Sequence, residues 1–398
     1  MKIYGFDHVE YYVADLAAAA AALCDAYGFR VCGRSPAAAG QRSLLLRQGQ
    51  IRLLLTSPDS GLAPGETSGP AAGPAAGPLA ENDRAARYIA RHGDGVGVIA
   101  FRIDDVRQAH AEVVAAGGIS IAAPSFACAG EGSACTVGTS VVAGFGDVLH
   151  KLVERSDPDG DFAPGIIEMD SHDPGHDSSE DNGKNRGGDH DSGDAGVLAG
   201  PLLDLLDHVA VCLPAGELNS TVSFYRNVFG LAQIYDERIE VGSQAMLSKV
   251  VQDNTAAVTF TLIEPDVTRE PGQIDDFLAA HDGAGVQHLA FRTSDIATAV
   301  RTISARGVEF LVAPAGYYQA LEGRLGKLAI PLEELRGLNV LADRDRWGQM
   351  FQIFARSTHQ RHTLFIELIE RKGALTFGSR NIRALYEALE DEHAGKSH

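Results

Sequence analysis

GAGVQHLAFRTSDI, residues 283–296, has a counterpart in GDGVGVIAFRIDDV, residues 93–106. The two stretches share Gly, Val, Ala, Phe, Arg and Asp in the same order, and each reads as a strand followed by a helix. Among the positions where they differ, one stands out: His288 occupies the place of Val98 in the earlier copy. An internal repeat of this kind decides the architecture of a chain.

The repeat extends in both directions. FDHVEYYVADLAAAAAALCDAYGF from Phe6 and LDHVAVCLPAGELNSTVSFYRNVFGL from Leu206 each give an Asp-His strand, then an amphipathic helix that stops at an aromatic-Gly turn. VLHKLVER from Val148 and LFIELIER from Leu364 give a related closing strand in each half. Strands alternating with helices at this spacing predict βαβββ units, two per half. The expected fold is α+β, with two tandem open barrels. The first takes residues 1–155. The second takes residues 201–398 and ends in a capping helix, RNIRALYEALEDEH. Phe224 and Tyr225, on the first helix of the second half, read as core.

Residues 156–200 separate the halves. They are acidic and, beyond Met169, almost without apolar side chains, so a disordered linker or insertion is expected. His172, His176 and His190 sit there among aspartates, and a solvated loop describes them better than a metal buffer. SGPAAGPAAGPLA from Ser68 reads as a flexible surface insertion.

A chain of 398 residues, 45% hydrophobic and 22% charged, suits a globular protein with a large core. Its net charge of -19 argues against a nucleic-acid partner, which would need clustered Lys and Arg. No apolar run of membrane-spanning length and no cationic, apolar leader is visible, so no membrane partner is expected and the location reads as cytoplasmic. The five cysteines, Cys24, Cys32, Cys128, Cys135 and Cys212, form no CxxC pair and read as reduced and structural.

Aligning the halves gives three informative columns. His8 matches His208, Val98 matches His288, and Lys151 matches Glu367. The second half therefore carries His, His and Glu where the first carries His, Val and Lys. Side chains alternate along strands, so all three can point into one barrel. Two imidazoles and a carboxylate on one face of a metal suit non-haem Fe(II) and oxygen chemistry, although zinc accepts the same ligands. One copy keeps a metal site, and the other reads as scaffold.

Those residues, with LSKVV at Leu247, APAGYY at Ala313, FQIF at Phe351 and FGSRNIRALYEALE at Phe377, resemble the vicinal oxygen chelate superfamily. Within it the chain resembles the 4-hydroxyphenylpyruvate dioxygenase family, which includes the 4-hydroxymandelate synthases. The resemblance covers nearly the whole chain outside the acidic insertion. It implies Fe(II) held by His208, His288 and Glu367, with 4-hydroxyphenylpyruvate and O2 as substrates. It implies substrate contacts from Ser248, Thr261 and Gln352, with Phe354 and Phe377 as apolar walls. It also implies a homodimer, and supply of an antibiotic precursor.

The dioxygenases typically read FPINEP where this chain has FTLIEP, and GNFxALF where it has RNIRALY. Thr261, Ile263, Ile382 and Tyr386 all depart toward the mandelate-forming members. The expected reaction is therefore oxidation of 4-hydroxyphenylpyruvate to 4-hydroxymandelate and CO2, with homogentisate formation as the alternative.

Overall fold

The computed structural model describes residues 1–35, 41–58, 81–128, 135–157, 160, 162–163, 165–168, 200–314, 316–378 and 380–387. The first half runs β1 (Ile3–Tyr12), α1 (Leu16–Tyr27), β2 (Arg30–Arg34), β3 (Gln41–Gln48), β4 (Ile51–Pro58), α2 (Glu81–His92), β5 (Gly95–Ile103), α3 (Val106–Ala115), β6 (Ser120–Cys128), β7 (Thr136–Ala143) and β8 (Leu149–Arg155), with a short β9 (Ile167–Glu168). The second half runs β10 (Leu205–Cys212), α4 (Leu218–Phe229), β11 (Ala232–Val241), β12 (Gln244–Gln252), β13 (Thr259–Pro265), α5 (Gln273–His281), β14 (Gly285–Arg292), α6 (Ile296–Ala305), α7 (Leu321–Leu325), α8 (Leu332–Leu338), β15 (Leu341–Arg344), β16 (Gln349–Phe354) and β17 (Phe365–Lys372).

Each half is one sheet made of two βαβββ units, as expected. The strand orders are β6-β7-β8-β5-β1-β4-β3-β2-β9 and β11-β12-β13-β10-β14-β17-β16-β15. In each, the two units meet at an antiparallel pair, β1/β5 or β10/β14. Parallel pairs flank it: β1/β4 and β5/β8, or β10/β13 and β14/β17. The outermost strands do not join, so both barrels are open.

The columns aligned from sequence are the same rungs of the two ladders. His8 faces Ala100 as His208 faces Ala290, and Glu10 faces Val98 as Ala210 faces His288. Ala100 then faces Lys151 as Ala290 faces Glu367.

The other repeated residues have structural work. Gly93 and Gly283 turn the chain at φ 77° and 117°, in the left-handed region that favours glycine. A Cβ at Gly285 would lie 2.3 Å from the His281 ring, so the strand passes the helix there only because it carries no side chain. Asp105 and Asp295 cap α3 and α6, accepting from Gln108 N and Thr298 N at 2.9 Å each. Phe101 and Phe291 are fully buried and reach into the opposite half, edge-on to Phe229 at 5.3 Å and to Phe29 at 5.8 Å.

The main core lies between the halves. Val9, Leu53, Leu55 and Ile99 from one sheet join Val209, Val211, Phe260 and Leu289 from the other. Tyr225 is fully buried and stacks on Phe260 at 4.7 Å, and its hydroxyl bonds His150 Nε2 at 2.9 Å across the seam.

One expectation needs correction. The stretch read as a disordered linker begins as structure. Phe162 is buried edge-on to the His8 ring at 4.9 Å, Ile166 is buried, and Ile167–Glu168 pairs with Gly33 and Arg34. These apolar side chains have a sheet interior to fill, unlike the acidic run after them. His172, His176, His190, the insertion from Ser68 and the chain beyond residue 387 lie outside the described residues. Among the described residues none of the five cysteines is in a disulfide. Among the described residues no helix is long and apolar enough to cross a membrane.

Burial pushes the His150 imidazole down to about 3, so it folds neutral. The unfolded chain takes up that proton near pH 6.5, so this part of the stability is complete above that pH and is lost as pH falls toward 3. The slope is up to ~1.4 kcal/mol per pH unit. His150→Gln, which cannot titrate, is expected to flatten the fall in stability between pH 6 and 4 by up to about one proton. Denaturant melts at several pH values read this directly, and parallel profiles for the two proteins would refute it.

Candidate metal centre

Three neighbouring strands carry the three predicted ligands. His208 is on β10, His288 on β14 and Glu367 on β17, and all three side chains are buried on the inner face of the second sheet. Glu367 Oε2 lies 3.4 Å from His208 Nε2 and 3.2 Å from His288 Nε2. One ligand atom from each lies within 4.8 Å of the others, and among the described residues no other such group of three is found. Donors about 3 Å apart match adjacent corners around a divalent metal with bonds of about 2.1 Å. The donor set therefore fits a metal held on one face, with the opposite positions open.

Each ligand is held from behind. His208 Nδ1 is 2.9 Å from Asp207 Oδ1, and Asp207 in turn receives the two-pronged fork of Arg371 at 2.8 Å from both Nε and Nη2. This fixes the ring with Nε2 forward. His288 Nδ1 lies 3.3 Å from Gln287 Oε1. Gln352 Nε2 donates to Glu367 Oε1 at 2.9 Å, leaving Oε2 for the metal. Gln352 Oε1 accepts from Asn381 Nδ2 at 2.8 Å, and Asn381 Oδ1 accepts from the Tyr317 hydroxyl at 2.6 Å. That chain ties the metal carboxylate to the helical segment 380–387.

The electrostatics follow from burial and proximity. Burial alone would lower His208, but the Glu367 and Asp207 carboxylates outweigh it and raise the imidazole to about 9. Burial would raise Glu367, but the two imidazoles, His208 foremost, pull it down to about 2. Burial lowers His288. The raised imidazole shows that the Glu367 and Asp207 carboxylates favour a positive charge at this dehydrated point, which a bound cation would supply.

The remaining predicted residues line the same interior. Thirteen strands into the chain, β13 runs beside β10, and Ala210 faces Thr261 on one side and His288 on the other. Ser248 and Thr261 are buried, and among the described residues neither hydroxyl has a hydrogen-bond partner. Ile263 and Tyr386 pack with Cys212, Met246 and Phe277, and Ile382 packs against that cluster. Phe377 stands edge-on to His208 at 5.3 Å. Phe354 approaches His288 at 6.1 Å, and Phe365 stacks on the same ring at 4.9 Å. Both ends of the Gln352 amide are engaged, although its second N–H remains.

Sequence reading missed Asp207, Arg371, Gln287, Asn381 and Tyr317. The first two carried a signal. The first half repeats the same brace, with Asp7 bonding His8 Nδ1 at 2.7 Å and taking the Arg155 fork at 2.7 Å twice. An Asp-His and a Glu-Arg dipeptide persist in both halves although the metal column does not. The other three have no such counterpart.

Comparison with known proteins agrees with this geometry. Residues 5–133 and 205–353 match the Glyoxalase/Bleomycin resistance protein/Dioxygenase superfamily. A probable 4-hydroxyphenylpyruvate dioxygenase 2 of Aspergillus fumigatus is 31% identical over 98% of this chain and 94% of its own. The chain belongs to the 4-hydroxyphenylpyruvate dioxygenase family. A 4-hydroxyphenylpyruvate dioxygenase of Yarrowia lipolytica is 29% identical over 98% of this chain and 92% of its own. Among solved structures, a substituted form of 4-hydroxymandelate synthase from Streptomyces coelicolor is 40% identical, with a TM-score of 0.79, covering 99% of this chain and 100% of that one.

The donor geometry predicts that the chain binds a divalent metal through this triad. His288→Ala is expected to abolish Co(II) binding measured by calorimetry. Arg371→Gln, which leaves all three ligands in place, should weaken it about 10- to 100-fold by loosening Asp207 and His208. Unchanged Co(II) affinity in Arg371→Gln would show that the fork does not position the ligand.

Proposed function

We propose that this chain is an Fe(II)-dependent oxygenase that converts 4-hydroxyphenylpyruvate and O2 to 4-hydroxymandelate and CO2. The observation that carries this reading is the wall formed by Thr261, Ile263, Ile382 and Tyr386 in the barrel that holds the triad. The 40% identity to the mandelate synthase structure supports it, against 29% and 31% for the two dioxygenases.

His208, His288 and Glu367 would hold Fe(II), and three protein donors would leave coordination positions for the substrate's 2-oxo acid and for O2. Fe(II) bound there supplies the redox centre and the template that aligns the reactants. The chain supplies the rest. Gln352 and Asn381 keep the Glu367 carboxylate turned to one oxygen. The Ser248 and Thr261 hydroxyls, with the free N–H of Gln352, offer hydrogen bonds to polar groups of the substrate. Phe354, Phe377 and the 380–387 segment exclude water from the reacting atoms.

The mandelate and homogentisate outcomes differ in which of two neighbouring carbons is oxidised, so a small turn of the ring decides between them. A Phe at position 382 could stack on the ring and hold it toward the metal; Ile382 cannot. Incubating the protein with Fe(II), ascorbate, O2 and 4-hydroxyphenylpyruvate should give 4-hydroxymandelate by chromatography with mass detection. Homogentisate as the main product would overturn the reading while leaving the family intact. Ile382→Phe should divert part of the product to homogentisate, and an unchanged product ratio would remove Ile382 from the account.

A further inference from the structure

Glu367 stands at the end of a line of side-chain hydrogen bonds whose direction is fixed. A primary amide can present either its oxygen or its NH2, so Gln352 and Asn381 could each face two ways. A carboxylate only accepts, so Gln352 must turn Nε2 to Glu367 Oε1, at 2.9 Å, and its own oxygen away. Asn381 must then offer Nδ2 to that oxygen, at 2.8 Å, which turns Asn381 Oδ1 outward. The last group in the line must therefore be a donor. It is the Tyr317 hydroxyl, 2.6 Å from Asn381 Oδ1.

Tyr317 opens a 3-10 turn, Tyr317–Ala320, between α6 and α7. Its hydroxyl also meets β15, the outermost strand of the second sheet, accepting from Ala342 N at 2.9 Å and standing 2.9 Å from Ala342 O. A hydroxyl has one proton to give. Ala342 O has a second donor in Arg324 Nη2, at 3.3 Å. Among the described residues Asn381 Oδ1 has Tyr317 alone, and Asn381 is fully buried. Leaving a buried acceptor with no donor is the costlier choice, so the proton goes to Asn381. Burial pushes the Tyr317 hydroxyl up to about 12, so it keeps that proton at neutral pH.

We propose that Tyr317 is a positioning residue for the Glu367 carboxylate: as the terminal donor it fixes which way both amides face, and so keeps an N–H, not an amide oxygen, against Glu367. Without the hydroxyl, Asn381 loses its reason to face one way. Once it turns, its oxygen meets Gln352 Oε1, Gln352 turns in response, and an amide oxygen confronts the carboxylate. The effect of Tyr317 on a bound ion rests on the proposed reading of His208, His288 and Glu367 as metal ligands. Its effect on the two amides does not.

Two measurements on the full-length protein test this. The first needs no metal: hydrogen exchange of the Gln352 and Asn381 side-chain NH2 groups, followed by NMR of nitrogen-labelled protein. Tyr317→Phe should speed both exchanges at least about tenfold. Tyr318→Phe is the matched control, because the neighbouring hydroxyl donates to Val340 O at 3.1 Å and takes no part in the line. It should exchange as the parent does. Each phenylalanine keeps its ring in place. The second measurement is Co(II) titration, read by calorimetry and by the visible bands of the bound ion. Tyr317→Phe should weaken binding about three- to tenfold, less than loss of a ligand's direct partner, and shift the bands. Tyr318→Phe should do neither. In an Asn381→Ala background, Tyr317→Phe should add little further to either reading, because it acts through Asn381. Unchanged exchange in Tyr317→Phe, or equal changes in the two phenylalanine variants, would overturn the proposal. A parent that binds no Co(II) would overturn the reading of the triad, and the exchange rates would still decide the role of Tyr317.

Discussion

The two-pronged bond from Arg371 to Asp207 is the interaction on which the candidate metal centre depends. It joins the end of β17 to the start of β10, and so ties together the strands that carry Glu367 and His208. Side chains alternate along a strand, so a slip of one residue would turn a ligand out of the barrel. Arg371 and the neighbouring His208 hold the Asp207 carboxyl far below its usual range although burial opposes this. The same guanidinium donates to Thr376 O at 2.7 Å and lies 5.2 Å from the Phe377 ring. One side chain thereby sets strand register, the orientation of the His208 imidazole and the path of the chain into the 380–387 segment.

The first half shows what remains when the ligands are removed. The Asp7–Arg155 fork and His8 persist, but Val98 and Lys151 take the other two places. Burial lowers the His8 imidazole to about 4, so it stays neutral beside Lys151 and Arg155. Phe162 covers it from the stretch that follows β8. Glu154 and Glu370, next to the two arginines, do a further job in both halves, accepting from the first helical N–H of α3 at 2.8 Å and of α6 at 3.0 Å. The frame is therefore independent of the metal.

The fold was legible because it is doubled. Each strand pattern could be checked against its copy, and the columns His8/His208, Val98/His288 and Lys151/Glu367 fell on matching rungs. The triad was legible for the same reason: it is where the copies differ. What lies behind it was not. Asn381 and Tyr317 reach Glu367 only through Gln352, and contacts between side chains distant in sequence leave no periodic trace. The role of Phe162 was hidden differently. It sits at the head of an acidic run whose average composition speaks for solvent, while the single aromatic ring finds a barrel interior to fill.

The duplicated fork also bears on how the metal-free chain behaves. Many small metal-binding domains are unfolded until the ion arrives, and most of its binding free energy goes into ordering the chain. Here Asp–Arg forks, strand ladders and the apolar seam between the halves assemble without it, as the first half demonstrates in the same molecule. The second barrel shares that frame, and so should stand as a receptor built in advance. Chelation should empty it without unmaking it, and the affinity for the ion reports the contact between ion and ligands with little folding mixed in.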